Sequence, residues 1–255
     1  MSEARDIEFE ISQDKMEQLK SLYPERVDSY VKFLKEAVTE GGGELKDSTD
    51  ILQRLLNSER TLNQRTIDDL DGYFRKAKES PKDIVAQVRD YLRFFFNVND
   101  RDGWLRSKGF HIIVYGSIQY NDPRNLDADV LLVGEYILTL EPENRKLIRS
   151  MDDGLKSQWK TRDFGEEPHL SIFSLDSIEN VADAIDTNVF DFDVAAMDAS
   201  TALTGMPLYD QDNEWFRYFR GRLRKVVEAD PLLTILVNRE IESCLANREE
   251  RVRAR

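Results

Sequence analysis

The chain has one cysteine, Cys244, in 255 residues, so no disulfide can form within it. No apolar run approaches the roughly 20 residues that a membrane-spanning helix needs. The first ten residues, MSEARDIEFE, are acidic where a secretory leader is basic. Those absences make the cytoplasm the expected compartment. With no histidine near it in sequence, Cys244 reads as a helix-packing residue rather than a nucleophile. Positive charge is also short, 36 Lys and Arg against 49 Asp and Glu, for a net charge of -13. That balance opposes the phosphate neutralisation on which nonspecific binding to DNA or RNA depends, and argues against a long polynucleotide as substrate. Internal repeats, low-complexity stretches and zinc-type ligand spacings are missing as well. What remains, 40% hydrophobic and 33% charged, suits a soluble protein of one or two domains with a sizeable core.

The most informative stretch is Phe110 to Gly134, FHIIVYGSIQYNDPRNLDADVLLVG. Two short β-branched runs, Phe110 to Tyr115 and Val130 to Val133, are bounded by turn residues and read as buried strands. Gly116-Ser117 closes the first run, and Asp127-Ala128-Asp129 opens the second. Strand side chains alternate, so Asp127 and Asp129 project from one face. Two carboxylates about 4 Å apart repel by roughly 4 kcal/mol at an effective dielectric near 20. A divalent cation held by oxygen ligands is the commonest compensation. The glycine lets backbone N–H groups approach an anion closely, and the serine adds a hydroxyl donor. Asp-x-Asp recurs at Asp69/Asp71, Asp100/Asp102, Asp191/Asp193 and Asp210/Asp212, but only Asp127/Asp129 has both an upstream Gly-Ser and flanking strands.

Gly-Ser, this spacer, then Asp-x-Asp between apolar residues resembles the signature of the nucleotidyltransferase superfamily that includes DNA polymerase beta and kanamycin nucleotidyltransferase. Asn121 and Leu126 depart from its usual glycine and serine. The resemblance implies an α/β (α+β) core with a small mixed sheet. It also implies Asp127 and Asp129 as catalytic, metal-binding residues for Mg²⁺ or Mn²⁺, with Gly116 and Ser117 gripping the phosphates of a nucleoside triphosphate such as ATP. The implied reaction is transfer of a nucleoside monophosphate to an acceptor that nothing in the sequence identifies. The rival is a nucleotide-binding or antitoxin-like partner of the same fold, with the helical flanks as a protein-docking surface.

The expected organisation is a helical N-terminal region (1–99), a nucleotidyltransferase-like domain (100–210) and a helical C-terminal region (211–255). Helical spacing recurs at Val27, Tyr30, Val31 and Leu34, at Ile51, Leu52, Leu55 and Leu56, at Ile67, Leu70 and Phe74, and from Pro81 to Phe95. Phe94-Phe95-Phe96 reads as core, because three neighbours cannot face one ligand. Glu143 to about Lys160 reads as a helix whose polar face offers Lys156, Lys160 and the following Arg162 to a triphosphate. Pro168 to Leu175 reads as a third strand, where the superfamily places a third carboxylate; here its polar residues are His169, Ser171 and Ser174. Glu167 at that strand's entrance, or Asp191 and Asp193 if their segment is extended, are the alternatives. The segment Ala202 to Asp210 resembles a loop of minimal nucleotidyltransferases, with a turn at Gly205 and Pro207. Helices around Trp215 to Leu223 and from Pro231 complete the chain, which ends in an arginine-rich run.

Overall fold

The computed structural model describes residues 9–39, 45–69, 84–100, 103–115, 129–134, 142–162, 167–183 and 189–253. It is predominantly helical, with one small mixed sheet. The chain divides into two compact units, one from 1–63, 178–200 and 224–240, the other from 64–177, 201–223 and 241–255.

The first unit begins with helices α1 (Gln13–Leu22), α2 (Val27–Thr39) and α3 (Leu45–Leu56). Pro24 falls in the break between α1 and α2, where its missing N–H and fixed φ interrupt the helical ladder. Leu19, Tyr30, Phe33, Leu34, Ile51 and Leu55 are buried. The Tyr23 hydroxyl donates to the Leu55 carbonyl at 2.8 Å. Asp230, 3% exposed, accepts from the Arg26 guanidinium at 2.6 Å and from the Leu233 N–H at 3.0 Å. It thereby caps the helix that begins at Pro231.

The second unit is built on the sheet, whose strands are β1 (His111–Tyr115), β2 (Asp129–Gly134), β3 (Leu170–Ser174) and β4 (Met206–Pro207) in the order β3-β2-β1-β4. The first two pair antiparallel, with His111 opposite Val133 and Tyr115 opposite Asp129. β3 lies parallel to β2, with Val130 beside Leu170 and Leu131 beside Ser171. Opposite residues share a face, so Ile112, Val114, Val130 and Leu132 line one side of the sheet. They form a core with Leu92, Phe95 and Phe96 of α4 (Ile84–Asn99), Leu105 of α5 (Trp104–Ser107), and Met151, Leu155 and Trp159 of α6 (Pro142–Lys160). On the other side, His111 stacks on Trp215 at 3.5 Å and Phe173 meets Phe219 edge-on at 6.1 Å.

Phe95 and Phe96 are buried as expected of core, whereas Phe94, read with them as core, is 57% exposed. Two further expectations are corrected. Met206 and Pro207 are not only a turn: they add an edge strand to β1, too short to register as a pattern. The segment with Asp191 and Asp193 is not extended. It belongs to a helix, α8 (Val189–Thr204), following α7 (Leu175–Asp183). The controlling pattern is Phe192, Ala195, Ala196 and Ala199, buried at i, i+3, i+4 and i+7 in a stretch rich in alanine, the best helix former. Two residues apart on a helix are about 200° apart in direction, so the two aspartates diverge. Two further long helices are α9 (Asn213–Ala229) and α10 (Pro231–Arg253), which carries Cys244.

Candidate functional site

Gly116, Ser117 and Asp127 lie outside the described residues, as do Pro81, Leu70 and Phe74. Asp129 is described: it is first in β2 and directly across from Tyr115, the last residue of β1.

Carboxylates organise the neighbouring strand at this end. Asp129 Oδ1 accepts the His169 N–H at 2.9 Å, and Asp152 Oδ1 from α6 accepts the Leu170 N–H at 3.1 Å. The opening amides of β3 are thus held from both sides. Asp152 Oδ2 also accepts from Lys156 Nζ at 2.6 Å, which raises the lysine pKa above its ordinary value through that hydrogen bond. Lys160 Nζ meets Glu167 Oε1 at 2.6 Å, and its hydrogen bond lowers the Glu167 pKa. Both partners are exposed, so the pair contributes little to stability. The Arg162 guanidinium lies over the Tyr91 ring at 5.3 Å. Of the three cations offered by the sequence to a triphosphate, two are thus placed against acids close to the mouth of β3.

The register decides what β3 contributes. Asp129 shares its face of β2 with Leu131 and Val133, which lie beside Ser171 and Phe173 of β3; the register carried back one position sets His169, just before the strand, beside Asp129. On that face, His169 and Ser171 present an imidazole and a hydroxyl and no carboxylate. Glu167 stands before the strand in an ion pair, and Asp191 and Asp193 belong to the other compact unit. Among the described residues, no three of His, Cys, Asp and Glu converge in a way that could hold a metal ion. The described side chains therefore do not assemble a two-metal site.

A second constellation, not anticipated from the sequence, lies at the opposite end of β1. Asp212, 5% exposed, places Oδ1 at 3.3 Å from Arg106 Nη2 and 3.4 Å from His111 Nδ1. Burial lowers the His111 pKa below its ordinary value, against the pull of Asp212. The Arg106 guanidinium covers the Tyr209 ring at 5.2 Å, and the Tyr209 hydroxyl donates to Asn97 Oδ1 at 3.1 Å. These groups border a cavity of about 390 Å³. At about 3.4 Å per residue, β1 separates it from the Asp129 end by about 14 Å. His111 could have been noticed at the start of a strand, but Arg106 and Asp212 carry no local signal.

No protein-family model, curated protein or solved structure matches the chain.

Proposed function

We propose that the chain is a nucleotidyltransferase-fold protein that binds a nucleoside triphosphate together with its divalent cation, and that it transfers the nucleoside monophosphate slowly or not at all. Asp127 and Asp129 would face the cation, Mg²⁺ or Mn²⁺, which on binding offsets the triphosphate charge; Gly116 and Ser117 would hold the phosphates. The reading is supported by the β1–β2 pairing, which sets Tyr115, the residue before Gly116 in sequence, across from Asp129.

The observation that carries the functional half is the composition of β3. Phosphoryl-type transfer is mostly positioning and charge stabilisation, and an acceptor-side ion with no protein carboxylate to fix it is poorly positioned. His169 and Ser171 occupy the face that would supply that carboxylate. Neither supplies a formal negative charge at neutral pH.

An active transferase is the second reading, favoured by the Gly-Ser to Asp-x-Asp spacing and by Glu167, whose exposed ion pair with Lys160 leaves it close to the mouth of β3. Incubation with each α-labelled nucleoside triphosphate, Mg²⁺ or Mn²⁺ and cell extract separates the two. Binding with transfer well below about 1 per second supports the first; labelled product at or above that ordinary enzymatic rate establishes the second.

A further inference from the structure

At the end of β1 remote from Asp129, one carboxylate oxygen lies within reach of two nitrogen donors. Asp212, buried in the 3-10 turn Asp210–Asp212, presents Oδ1 at 3.3 Å to Arg106 Nη2 and at 3.4 Å to His111 Nδ1. Only the first contact is a hydrogen bond. His111 Nδ1 is shut off from solvent and has no hydrogen-bond partner among the described residues. Arg106 has other support: the Gln211 amide oxygen, turned toward it, accepts from the same guanidinium, which also covers the Tyr209 ring at 5.2 Å. The imidazole is held in place by stacking on Trp215 of α9, with 3.5 Å between centroids and 15° between planes. Asp100, the other acid bordering this cavity, accepts the Leu105 N–H at 2.9 Å, and Asp210 is engaged with Arg93 at 3.2 Å. Among the described residues, Asp212 and Arg106 are therefore the charges that bear on the ring.

We infer that this cluster is a proton-operated switch: protonation of His111 moves Asp212 Oδ1 from Arg106 to the imidazolium and releases the guanidinium to the mouth of the cavity. A neutral imidazole has one N–H and one bare nitrogen, whereas the imidazolium donates from both. Nδ1 then becomes a charged donor beside a buried carboxylate, a stronger bond than a neutral ring makes. Arg106 is the partner able to leave. Its side chain is 45% exposed, against 20% for His111, so water solvates its charge, while Gln211 and the Tyr209 ring still hold it. With His111 neutral, the Arg106 and Asp212 charges cancel; with it protonated, the three groups carry one net positive charge. Burial, and Arg106 as well, accordingly hold the His111 pKa below its ordinary value against the pull of Asp212. The switch is off at neutral pH and turns on only below about 6.5. The unfolded chain takes up this proton more readily than the folded one, so His111 lowers stability as pH falls through that value.

The test uses the full chain, which has two histidines, His111 and His169. In His169→Gln, which leaves the cluster intact, the remaining imidazole is titrated by NMR. Its midpoint should lie below about 6.5, fall further in Asp212→Asn and rise in Arg106→Gln. Tryptophan fluorescence reads the same event without touching the acid, because a protonated imidazole quenches the indole it stacks on. Acidification should dim the parent with that midpoint and leave His111→Gln and Trp215→Phe flat across it. The exchange of partners is read from double-mutant cycles on the melting temperature. Arg106→Gln and Asp212→Asn should be non-additive at neutral pH and additive below the His111 midpoint; His111→Gln and Asp212→Asn should do the reverse. A midpoint at or above about 6.5, parent fluorescence that does not follow it, or Arg106–Asp212 coupling unchanged by acid overturns the proposal. Titration and fluorescence decide the matter even where Asp212→Asn does not fold. None of these readouts involves nucleotide, so the result is independent of the proposed function.

Discussion

Replacing Gly205 by alanine adds a single methyl group where the second unit has no room for it. A Cβ there would lie 2.9 Å from the Thr201 carbonyl oxygen, closer still to the Ile113 side chain and 3.4 Å from the Val114 carbonyl oxygen. Two of those neighbours are backbone. The third is a fully buried side chain in the middle of β1. Gly205 also donates to Thr201 O at 2.7 Å and accepts from Arg220 Nη2 at 2.8 Å, so the backbone is pinned from both ends. Relief requires β4 to move away from β1 or Ile113 to leave its rotamer. Overpacking of this kind costs about 1 to 3 kcal/mol, and the immobile backbone neighbours put Gly205→Ala near about 3 kcal/mol. For a chain of this size, each kcal/mol moves the melting midpoint by about 2 to 4 °C, which gives a fall of about 6 to 12 °C by differential scanning fluorimetry. Gly221→Ala is the matched control, in α9 with nothing within 4 Å of the added Cβ, and should stabilise by up to about 1 kcal/mol. If Gly205→Ala melts with the parent, the close approach of β1 and β4 described here is wrong.

Asp230→Ala should destabilise the first unit by about 3 kcal/mol in urea denaturation, because it leaves Arg26 without its carboxylate and removes the cap of α10; Asp230→Asn, which keeps an acceptor for the Leu233 N–H, should cost less. Burial raises the Asp198 pKa from 3.8 to about 6, so the folded state holds this proton longer than the unfolded chain and loses stability as pH rises from about 4 to about 6. Asp198→Asn should therefore be more stable than the parent at pH 7, by up to about 3 kcal/mol, and flatten the pH dependence across that window. His169→Asp places a carboxylate beside Asp129 on the same face of the sheet; it should speed nucleotide transfer at least about tenfold in a single-turnover assay with Mg²⁺, and lower the metal-free melting temperature through like-charge repulsion. Ser117→Ala should weaken nucleotide binding by about 1 to 3 kcal/mol, the range for one hydrogen bond to a charged group, as read by calorimetry.

The strands and the long helices were legible because their patterns are local. Ile112 to Val114 and Val130 to Val133 are continuous apolar runs ended by turn residues, and Ile148, Met151, Leu155 and Trp159 repeat at helical spacing and are all buried. The segment from Val189 misled because Phe-Asp-Phe-Asp alternates like a strand over four residues, while the alanines that make it a helix lie beyond that window. β4 was invisible for a different reason. Its two residues are strand only through pairing with Ile113 and Val114, a contact between distant parts of the chain. The same holds for the site. The place of Asp129 at the head of β2 follows from the apolar run that begins at Val130, but the hold of Asp129 and Asp152 on the amides of His169 and Leu170, and the pairing of Lys160 with Glu167, depend on which helix lies beside which strand. Absence of a carboxylate in Leu170 to Ser174 was plain from the sequence; that His169 and Ser171 share the face of Asp129 needed the parallel register.

The most direct measurement is the equilibrium affinity of the full chain for α-labelled nucleoside triphosphate, with and without Mg²⁺, compared with the Asp127→Asn, Asp129→Asn double variant. Binding should be saturable, require Mg²⁺, disappear in the double variant and leave the labelled nucleotide intact over many minutes, while the variant's metal-free melting temperature is equal to or above the parent's. Metal-dependent binding that persists undiminished in the double variant would contradict the assignment of the motif.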